Sequence, residues 1–353
     1  MQSTFITPKP LSESARQMAQ HKFDHVAKPL NSLGRFESIL TRIAAIQGTD
    51  RVSLDPRAVL IFCGDHGVVR QGISQCGSDV TSRVARSICE GTSNINLMAN
   101  CAHAAVFAYD MGMADPPDCP NLIRMSVAGG TNDFTQGPAM SREQAVQAID
   151  SGIRAVRDLA GRGFRLLALG EMGIGNTTSS TALTAALLHL SPETVTGRGS
   201  GLSDEGLARK IQVIRRGIEV NHPDVSDPVS VLSALGGFEI AGMAGACLGA
   251  AEAGIPIILD GVISCVAALI AVRICPAAGA FLIASHAGKE PSSRVLLEAL
   301  NLSPVLDARM ALGEGTGAVM LFPLLDMVHE VYQSSHTFDA LDMEAYRPLG
   351  GQA

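Results

Sequence analysis

Aromatic residues and runs of positive charge are scarce in this sequence. It contains no tryptophan, aromatic residues make up 4% of its 353 positions, and the formal net charge is −7 with no run of Lys or Arg. A nucleic-acid-binding protein usually carries a basic face and aromatic side chains on which bases stack. Nucleic acid is therefore not an expected partner.

Paired cysteine motifs and membrane-length apolar segments are also missing. None of the eight cysteines forms a C-x-x-C pair, and most lie in apolar segments, which is typical of buried reduced thiols in a cytosolic protein. Residues 1–20 lack the apolar core of a signal peptide. The most apolar region, 242–285, is interrupted by Glu252, Asp260 and Arg273, so no uncharged stretch reaches the ~20 residues that span a bilayer. We expect a soluble cytoplasmic protein without a membrane partner.

Several common nucleotide and metal motifs are absent as well. No glycine loop ends in the Gly-Lys-Ser/Thr of a Walker A motif, and no loop has the G-x-G-x-x-G spacing of a dinucleotide fingerprint. His66 and His286 have neither a second histidine nor a cysteine at ligand spacing, so we expect no metal site.

Glycine, in contrast, is abundant. The 36 glycines cluster in short loops between apolar runs, where they allow tight turns and close approach of the backbone to a ligand. Several of the apolar runs do not alternate with polar residues, as expected for strands buried on both faces of a parallel sheet. Longer helical patterns separate them, so the sequence predicts an α/β fold with a doubly wound, mostly parallel sheet. The predicted strands are 58–63, 104–109, 122–127, 165–169, 255–259 and 280–284.

Polar residues mark the starts of several predicted helices. Ser141 and Gln144 fit a capping box, Asp227 precedes a first-turn proline, and Ser203 precedes two acidic residues. Helical patterns before residue 50 and after residue 323 have no strands near them. We therefore predict a small helical domain formed by 1–50 and 324–353, and a large α/β catalytic domain formed by 51–323.

Carboxylates follow four of the predicted strands. They are Asp65, Asp110, Glu171 and Asp260, while Ser285 and His286 follow the last strand. Because ligands bind beyond the carboxyl ends of strands in such a sheet, these side chains are expected to meet at one edge. The pattern favours a polar active-site cleft.

The loop 170–178 (GEMGIGNTT) is the most informative of these segments. Its glycines expose backbone amides, and Asn176, Thr177 and Thr178 lead into a helix whose start is suited to a phosphate. A tight turn with a well-capped helix explains the same residues equally well.

Two further glycine loops carry single charged residues. In 313–317 (GEGTG), Glu314 stands between glycines that leave its carboxylate unshielded and able to meet a substrate. A helix cap with an acidic residue in the first turn explains the same pattern equally well. The loop 197–201 leads into a helix with Lys210. A helical lysine is usually only solvated, so Lys210 alone carries little weight.

These segments together resemble the nicotinate-nucleotide–dimethylbenzimidazole phosphoribosyltransferases, over nearly the whole chain. Each motif alone is modest, and their number and order make the resemblance specific. They are 28–35 (KPLNSLGR), 64–68 (GDHGV), 170–178, 236–238 (GGF), 259–261 (LDG), Ser285-His286 and 312–318 (LGEGTGA).

The resemblance implies transfer of a phosphoribosyl group from nicotinate mononucleotide to a lower-ligand base of cobalamin, with release of nicotinate and inversion at the sugar. It implies Glu314 as general base, with Glu171 and Lys210 close to the substrates and no cofactor. It also implies a homodimer whose subunits combine a Rossmann-like large domain with a small helical one. The expected substrate-binding residues are Asp65, Cys76, Val84, Gly173, Gly175, Asn176, Thr177, Thr178, Asp260, Ser285, His286, Gly313 and Gly315.

The sequence departs from the family pattern around the expected base pocket. In the segment 75–81 (QCGSDVT), Cys76, Gly77 and Ser78 precede Asp79-Val80-Thr81 and differ from the residues that family members usually have there. Val84 stands at a position where family members often have glutamine. Asn31 and Gly288 also differ from the usual glycine and serine. The acceptor is thus left open between dimethylbenzimidazole, another benzimidazole, a purine or a phenol. A nucleotide-dependent oxidoreductase, a non-catalytic nucleotide-binding partner of an active paralogue, and a nucleotide hydrolase remain alternative functions.

Overall fold

The protein is built around one parallel β-sheet of six strands. A computed structural model describes residues 5–347. The strands, labelled β1 to β6 in chain order, are Arg57–Gly64, Ala105–Gly112, Leu122–Arg124, Leu166–Met172, Ile257–Leu259 and Leu282–Ala284. All six predicted strands are present. β3 is shorter than predicted because beyond Arg124 only isolated bonds continue the pairing, such as that from the Met125 amide to the Asp110 carbonyl at 2.9 Å.

The strand order is β3-β2-β1-β4-β5-β6, with every neighbouring pair parallel. This is the doubly wound Rossmann order, and it confirms the predicted fold class. The order in which strands are added reverses at β1 and β4: β2 and β3 lie on one side of this pair, and β5 and β6 on the other. The register of β1 and β4 pairs Phe62 with Glu171. A doubly wound sheet opens a crevice at the carboxyl ends of such strands.

Helices cover both faces of the sheet. β1 is buried throughout, and its alternate side chains enter two separate apolar clusters: Leu60 and Phe62 in one, Val59 and Ile61 in the other. The α-helices, labelled α1 to α13 in chain order, are Glu13–His25, Arg35–Gln47, Asp79–Cys89, Asn94–Cys101, Arg142–Gly161, Asn176–Leu188, Pro192–Val195, Asp204–Asn221, Pro228–Leu235, Phe238–Ala253, Val262–Ile274, Ser292–Ala299 and Thr316–Ser334.

Helix α10 packs closely on α5 beneath the sheet. A Cβ added to Gly152 would lie 1.8 Å from the Gly242 carbonyl oxygen, and one added to Gly245 would lie 1.9 Å from that of Ile149. Only glycine permits this distance between the two backbones. The close approach places the first turn of α10 against the loops at the carboxyl edge of β1 and β4.

The predicted helix starts are confirmed. Ser141 and Gln144 form the reciprocal capping box of α5, Asp227 accepts a hydrogen bond from the Val229 amide, and Ser203 caps α8. These local signals fix where the helices begin, because they satisfy amides that the first turn leaves without partners.

The terminal helices α1, α2 and the end of α13 lie together on one side. The rings of Phe23 and Tyr332 are 4.7 Å apart, and the Phe338 amide donates to the His25 carbonyl. One apolar cluster includes residues of α1, α2 and α13 together with Val59 of β1, so these helices share a core with the sheet. Helix α13 also continues across the predicted domain boundary between residues 323 and 324. A separate helical domain stays a prediction, and its residues 1–4 and 348–353 lie outside the described residues. Among residues 5–347, no helix has the length and apolarity needed to cross a membrane.

Candidate active site

A cleft of about 220 Å³ opens at the carboxyl ends of β4, β5 and β6. Parallel strands bring their following loops to one edge, so residues distant in sequence meet there. Eight of the residues predicted for the site line this cleft: Glu171, Gly173, Asn176, Thr177, Asp260, His286, Gly313 and Glu314.

Glu171, near the end of β4, is the most perturbed carboxyl group of the cleft. Burial, followed by the negative charge of Asp260, raises its pKa to about 8. The Asn176 side-chain amide donates to its Oε2 atom and opposes the shift. Without a ligand, this carboxyl group therefore holds its proton at neutral pH.

Glu314 lies across the cleft, in the loop that precedes α13. Gly313, Glu314 and Gly315 have φ of +85°, +59° and +83°, so a non-glycine residue sits in the left-handed region between two glycines. This rare conformation, which is typical of functional sites, presents the carboxylate to the cleft. Burial raises the pKa of Glu314, and its Oε2 atom accepts the Ile95 amide at 3.4 Å. The group is thus suited to accept a proton.

The loops of Glu171 and Glu314 are in direct contact. A Cβ added to Gly313 would lie 2.8 Å from Glu171 Oε1, and one added to Gly170 would lie 2.6 Å from the Glu314 carbonyl oxygen. Glycine at both positions lets the two carboxyl groups share one cleft.

Asp260, after β5, joins the cleft to α13. Its Oδ1 atom accepts the Gly317 amide at 2.7 Å and the Ala318 amide at 3.1 Å, which satisfies the start of that helix. Burial raises its pKa, although His286 and the amides act in the opposite direction. Asp260 therefore fixes the helix that carries the Glu314 loop at its start.

Ser285 and His286 follow β6. The Ser285 hydroxyl donates to the Leu259 carbonyl at 2.6 Å and lies 3.0 Å from His286 Nδ1. Ser285 is fully buried behind the wall, whereas His286 lines the cleft. The serine orients the imidazole rather than facing the cleft itself.

The loop between β4 and α6 forms another wall. Gly175, with φ +97°, directly precedes α6, and Asn176 and Thr177 in the first turn of that helix line the cleft. Thr178 is fully buried and does not line the cleft. The start of α6 is suited to an anion, as the sequence predicts.

Lys210 of α8 lies beneath this loop and is inaccessible to solvent. Its ammonium donates to Thr177 Oγ1 at 2.9 Å. Burial lowers its pKa to about 8, and the nearby Glu290 opposes that shift. The helix turns this lysine inward, so it is no ordinary solvated surface residue.

Five predicted binding residues do not line the cleft, in addition to Ser285, Thr178 and Lys210. Asp65, Gly175 and Gly315 are part of the supporting loops, and the Asp65 Oδ2 atom accepts the Ala114 amide at 2.9 Å. Cys76 is exposed, and Val84 is half-buried on α3. Helix α3 does touch the site, because Thr81 Oγ1 accepts the Ile174 amide at 3.1 Å.

Sequence reasoning missed several residues of the cleft. Glu290 accepts the Gly199 amide at 3.2 Å, and a Cβ on Gly197 would overlap its carboxylate at 1.8 Å. The glycine loop 197–201 was the available signal for that contact. An apolar wall was not predicted at all; it comprises Met172, Ile174, Val262, Ile263, Met310, Ala311 and Leu312. Along residues 5–347, no three His, Cys, Asp or Glu side chains converge as metal ligands would.

Comparisons with known proteins agree with this architecture. The profile of a family described as phosphoribosyltransferase matches residues 8–341. The chain is 43% identical to the nicotinate-nucleotide–dimethylbenzimidazole phosphoribosyltransferase of Acetivibrio thermocellus, over 98% of this chain and 99% of that protein. It is 42% identical to the enzyme of the same name from Halalkalibacterium halodurans, over 93% and 92%.

A crystal structure supports the same assignment. The fold superposes on CobT from Thermus thermophilus with a TM-score of 0.89 and 40% identity, over 94% of this chain and all of that one. The chain therefore belongs to the phosphoribosyltransferase family that contains the nicotinate-nucleotide–dimethylbenzimidazole phosphoribosyltransferases.

Proposed function

We propose that this chain transfers the 5-phosphoribosyl group of nicotinate mononucleotide to 5,6-dimethylbenzimidazole or a related base. The products are nicotinate and an α-ribazole 5′-phosphate, the precursor of the cobalamin nucleotide loop. The observation that carries the proposal is a pair of carboxyl groups with raised pKa, Glu171 and Glu314, in one cleft with a helix start suited to phosphate. An inverting glycosyl transfer needs this combination of a proton acceptor, an electrostatic partner and a phosphate anchor.

In the proposed reaction, the bond between C1′ and the pyridinium nitrogen breaks, and its electron pair neutralises that nitrogen. Nicotinate therefore departs without a general acid. A nitrogen of the incoming base bonds to the opposite face of C1′, which inverts the configuration. The azole N–H proton goes to the Glu314 carboxylate, whose raised pKa brings it closer to the working pH of a general base.

Glu171 is proposed to stabilise positive charge in the substrate and on the ribose as the bond breaks. Its pKa of about 8 means that it is mostly protonated in the empty cleft at neutral pH. A bound pyridinium cation favours the carboxylate form, because opposite charges at short range lower a carboxyl pKa. The substrate thus creates the anion that then stabilises the oxocarbenium-like transition state.

The 5′-phosphate is proposed to bind at the start of α6. Gly173, Asn176 and Thr177 line the cleft there, and Lys210 reaches Thr177 from below. A buried cation attracts a dianionic phosphate more strongly than a solvated one would. Fixing the phosphate in this way would set the line of attack at C1′.

The acceptor base is proposed to lie against the apolar wall formed by Val262, Ile263 and Met310 to Leu312. We retain Cys76 and Val84 as residues that affect base choice, since α3 contacts the site through Thr81. Which base is preferred is decided by the assay below.

The purified chain is incubated with nicotinate mononucleotide, with and without 5,6-dimethylbenzimidazole, adenine or a phenol, and nicotinate and ribotide are quantified by chromatography. Base-dependent nicotinate release with a matching amount of α-ribotide supports the proposal. Glu314→Gln should lower kcat on the order of 10²–10⁴-fold, the usual range for a lost general base.

Other outcomes point to the alternatives. Nicotinate release without a base indicates hydrolysis. A change in nicotinamide absorbance in a separate assay supplied with a reduced nicotinamide cofactor indicates an oxidoreductase. Nucleotide binding without turnover of any base contradicts the transferase and supports a binding partner.

We also propose that the chain is a homodimer, with α4 and α13 in the interface. The two helices pack on each other. Leu97 is 59% exposed, and Met320 and Met327, which share a face of α13, are 45% and 59% exposed. Exposed apolar side chains of this size on two neighbouring helices favour an interaction surface, and a second copy would cover them symmetrically.

Light scattering after size-exclusion chromatography tests the dimer. Met327→Glu should yield a monomer, whereas Met343→Glu, a matched change at another exposed methionine, should remain dimeric. A monomeric wild type, or a dimeric Met327→Glu, contradicts the proposal. We further propose that the enzyme acts in the cytoplasm, because its eight cysteines are unpaired and thiols stay reduced there.

A further inference from the structure

A buried histidine–glutamate pair lies near the glycine loop of the cleft. His66 Nε2 and Glu239 Oε1 are 2.7 Å apart, with side-chain exposures of 1% and 0%. The other ring nitrogen, Nδ1, lies 2.9 Å from the Ser179 hydroxyl. One imidazole thus joins the loop after β1, the second turn of α6 and the first turn of α10. Neither His66 nor Glu239 lines the cleft.

Both members of the pair press on the loop that leads into α6. A Cβ added to Gly175 would lie 3.2 Å from the His66 Cβ, and one added to Gly173 would lie 3.6 Å from Glu239 Oε1. The His66–Glu239 pair therefore packs close to this loop, together with Val69 and the Gly64 carbonyl, which would lie 2.8 Å and 2.5 Å from the same added Cβ atoms. A shift of the pair is therefore expected to loosen the packing of the loop between these two glycines.

The carboxylate of Glu239 is held tightly by its surroundings. A Cβ on Gly64 would lie 2.8 Å from its Oε2 atom, and one on Gly237 would lie 2.5 Å away. It sits in the first turn of α10, where the helix dipole stabilises a negative charge. Its Oε2 atom is buried and has no hydrogen-bond partner within the described part of the chain. A buried carboxylate with one unsatisfied oxygen destabilises the folded state. An apolar residue would pack there at a lower cost in free energy, so packing alone does not explain Glu239.

The pair also affects the electrostatics of the cleft. The negative charge of Glu239 is one of the factors that raise the pKa of Glu171, after burial and Asp260. Glu314 contributes as well. The Glu239 charge thus acts on Glu171 through the glycine loop that separates them.

We infer that His66 and Glu239 are positioning residues of the nucleotide site: they hold the loop 173–177 in the arrangement that binds the 5′-phosphate. The inference rests on the proposed function for the identity of the ligand, while the support of the loop rests on the contacts above. The two residues act on the bound nucleotide through the loop and not by touching it. Their replacement is expected to weaken nucleotide use and to leave use of the base unchanged.

The test uses Glu239→Gln, which keeps the shape and one acceptor oxygen and removes the charge. Its control is Glu252→Gln, the same change on the same helix at a surface residue paired with Arg157. Hydrogen exchange of wild type and both variants is followed by mass spectrometry. Faster exchange in 173–180 in Glu239→Gln only is expected, and exchange in that segment equal to the control overturns the inference whatever reaction the chain catalyses.

Steady-state kinetics distinguish positioning from a purely structural role, because a general loss of structure would affect the use of both substrates. With Glu239→Gln, kcat/KM for nicotinate mononucleotide should fall on the order of 10²-fold, as for a small misplacement of reacting groups, while KM for the base stays within about twofold. An equal rise of both KM values contradicts positioning. A wild type without turnover refutes the proposed function alone, since hydrogen exchange still decides the inference.

Ser179→Ala provides a second variant if Glu239→Gln does not fold. It removes only the hydrogen bond at Nδ1 and leaves the contact between His66 Nε2 and Glu239 Oε1 in place. A smaller effect in the same direction, in both exchange and nucleotide KM, is expected. Wild-type values in both measurements contradict the inference.

Discussion

The ammonium of Lys210 lies under the glycine loop and donates to Thr177 Oγ1 at 2.9 Å, with no exposure to solvent. Burial lowers its pKa to about 8. A cation in this position is costly for the empty protein, and we propose that it attracts an anion bound beside Thr177 in the cleft. If the proposal holds, the contact between these two residues relates folding stability to nucleotide binding.

Replacing Lys210 by methionine is expected to raise KM for nicotinate mononucleotide by about 10–100-fold, the range for loss of one charged hydrogen bond. KM for the base should change little. Steady-state kinetics with each substrate varied in turn measures both constants. A raised KM for the base with an unchanged KM for the nucleotide would show that Lys210 does not serve the phosphate.

The same variant is expected to be more stable than wild type at pH 7. Below pH 8 the lysine is protonated in the folded and unfolded states, and its burial as a cation destabilises the fold. Between about 8 and 10.5 the folded state releases its proton first, so wild-type stability rises with pH. The advantage of Lys210→Met in thermal melts should therefore shrink over this window.

Glu171→Gln is expected to show the opposite pH dependence. The pKa of Glu171 is raised from 4.5 to about 8, so the folded state retains a proton that the unfolded state has released. Stability of the wild type from this group falls as pH rises through that window. Glutamine resembles the protonated form, so the difference in melting temperature, variant minus wild type, should increase between pH 5 and pH 8. Parallel melting curves would contradict the burial of an ionisable group here, and the surface change Glu252→Gln serves as the control.

Binding that brings the pyridinium ring of the nucleotide beside Glu171 should also release a proton from this carboxyl group near pH 7. Calorimetry in two buffers with different ionisation enthalpies measures that release. The signal should disappear in Glu171→Gln. A release of the same size in the variant would assign the proton to another group.

Gly317→Ala is expected to damage the site. The added Cβ would lie 2.1 Å from His286 Cε1 and 2.8 Å from Asp260 Oδ1, so His286 and the start of α13 must move apart. Overpacking of this kind costs about 1–3 kcal/mol, and kcat should fall because the Glu314 loop precedes that helix.

Gly161→Ala is the matched control for that change. It lies at the end of α5, and no atom would come within 4 Å of its Cβ. Its melting temperature should equal or slightly exceed that of wild type, because alanine restricts the unfolded chain. Equal melting temperatures and activities in the two variants would contradict the packing argument.

Much of the sheet and of its catalytic edge could be predicted from the sequence. Glu171, Asp260 and His286 each come after a buried apolar run, and parallel strands must bring such residues together. The capping box at Ser141 is likewise a local pattern, readable without tertiary contacts.

Residues whose role depends on tertiary contacts could not be found in this way. Lys210 is buried because α8 turns that side toward Thr177, which its helical spacing alone does not reveal. His66 and Glu239 are separated by 173 positions in the sequence, and no pattern relates them. Only the family pattern connects Cys76 and Val84 with the base pocket, and their effect on base choice stays a prediction.

Helix α13 starts two residues after Glu314 and extends to Ser334, about 28 Å at 1.5 Å per residue. Near its far end Tyr332 packs on Phe23 and donates to the Asp50 carbonyl at 2.6 Å. A ligand that binds the ordered form of the Glu314 loop therefore also lowers the population of molecules in which this helix is locally unfolded. Occupancy of the cleft should thus protect the amino-terminal helix α1 from proteases, although that helix contributes no residue to the cleft lining.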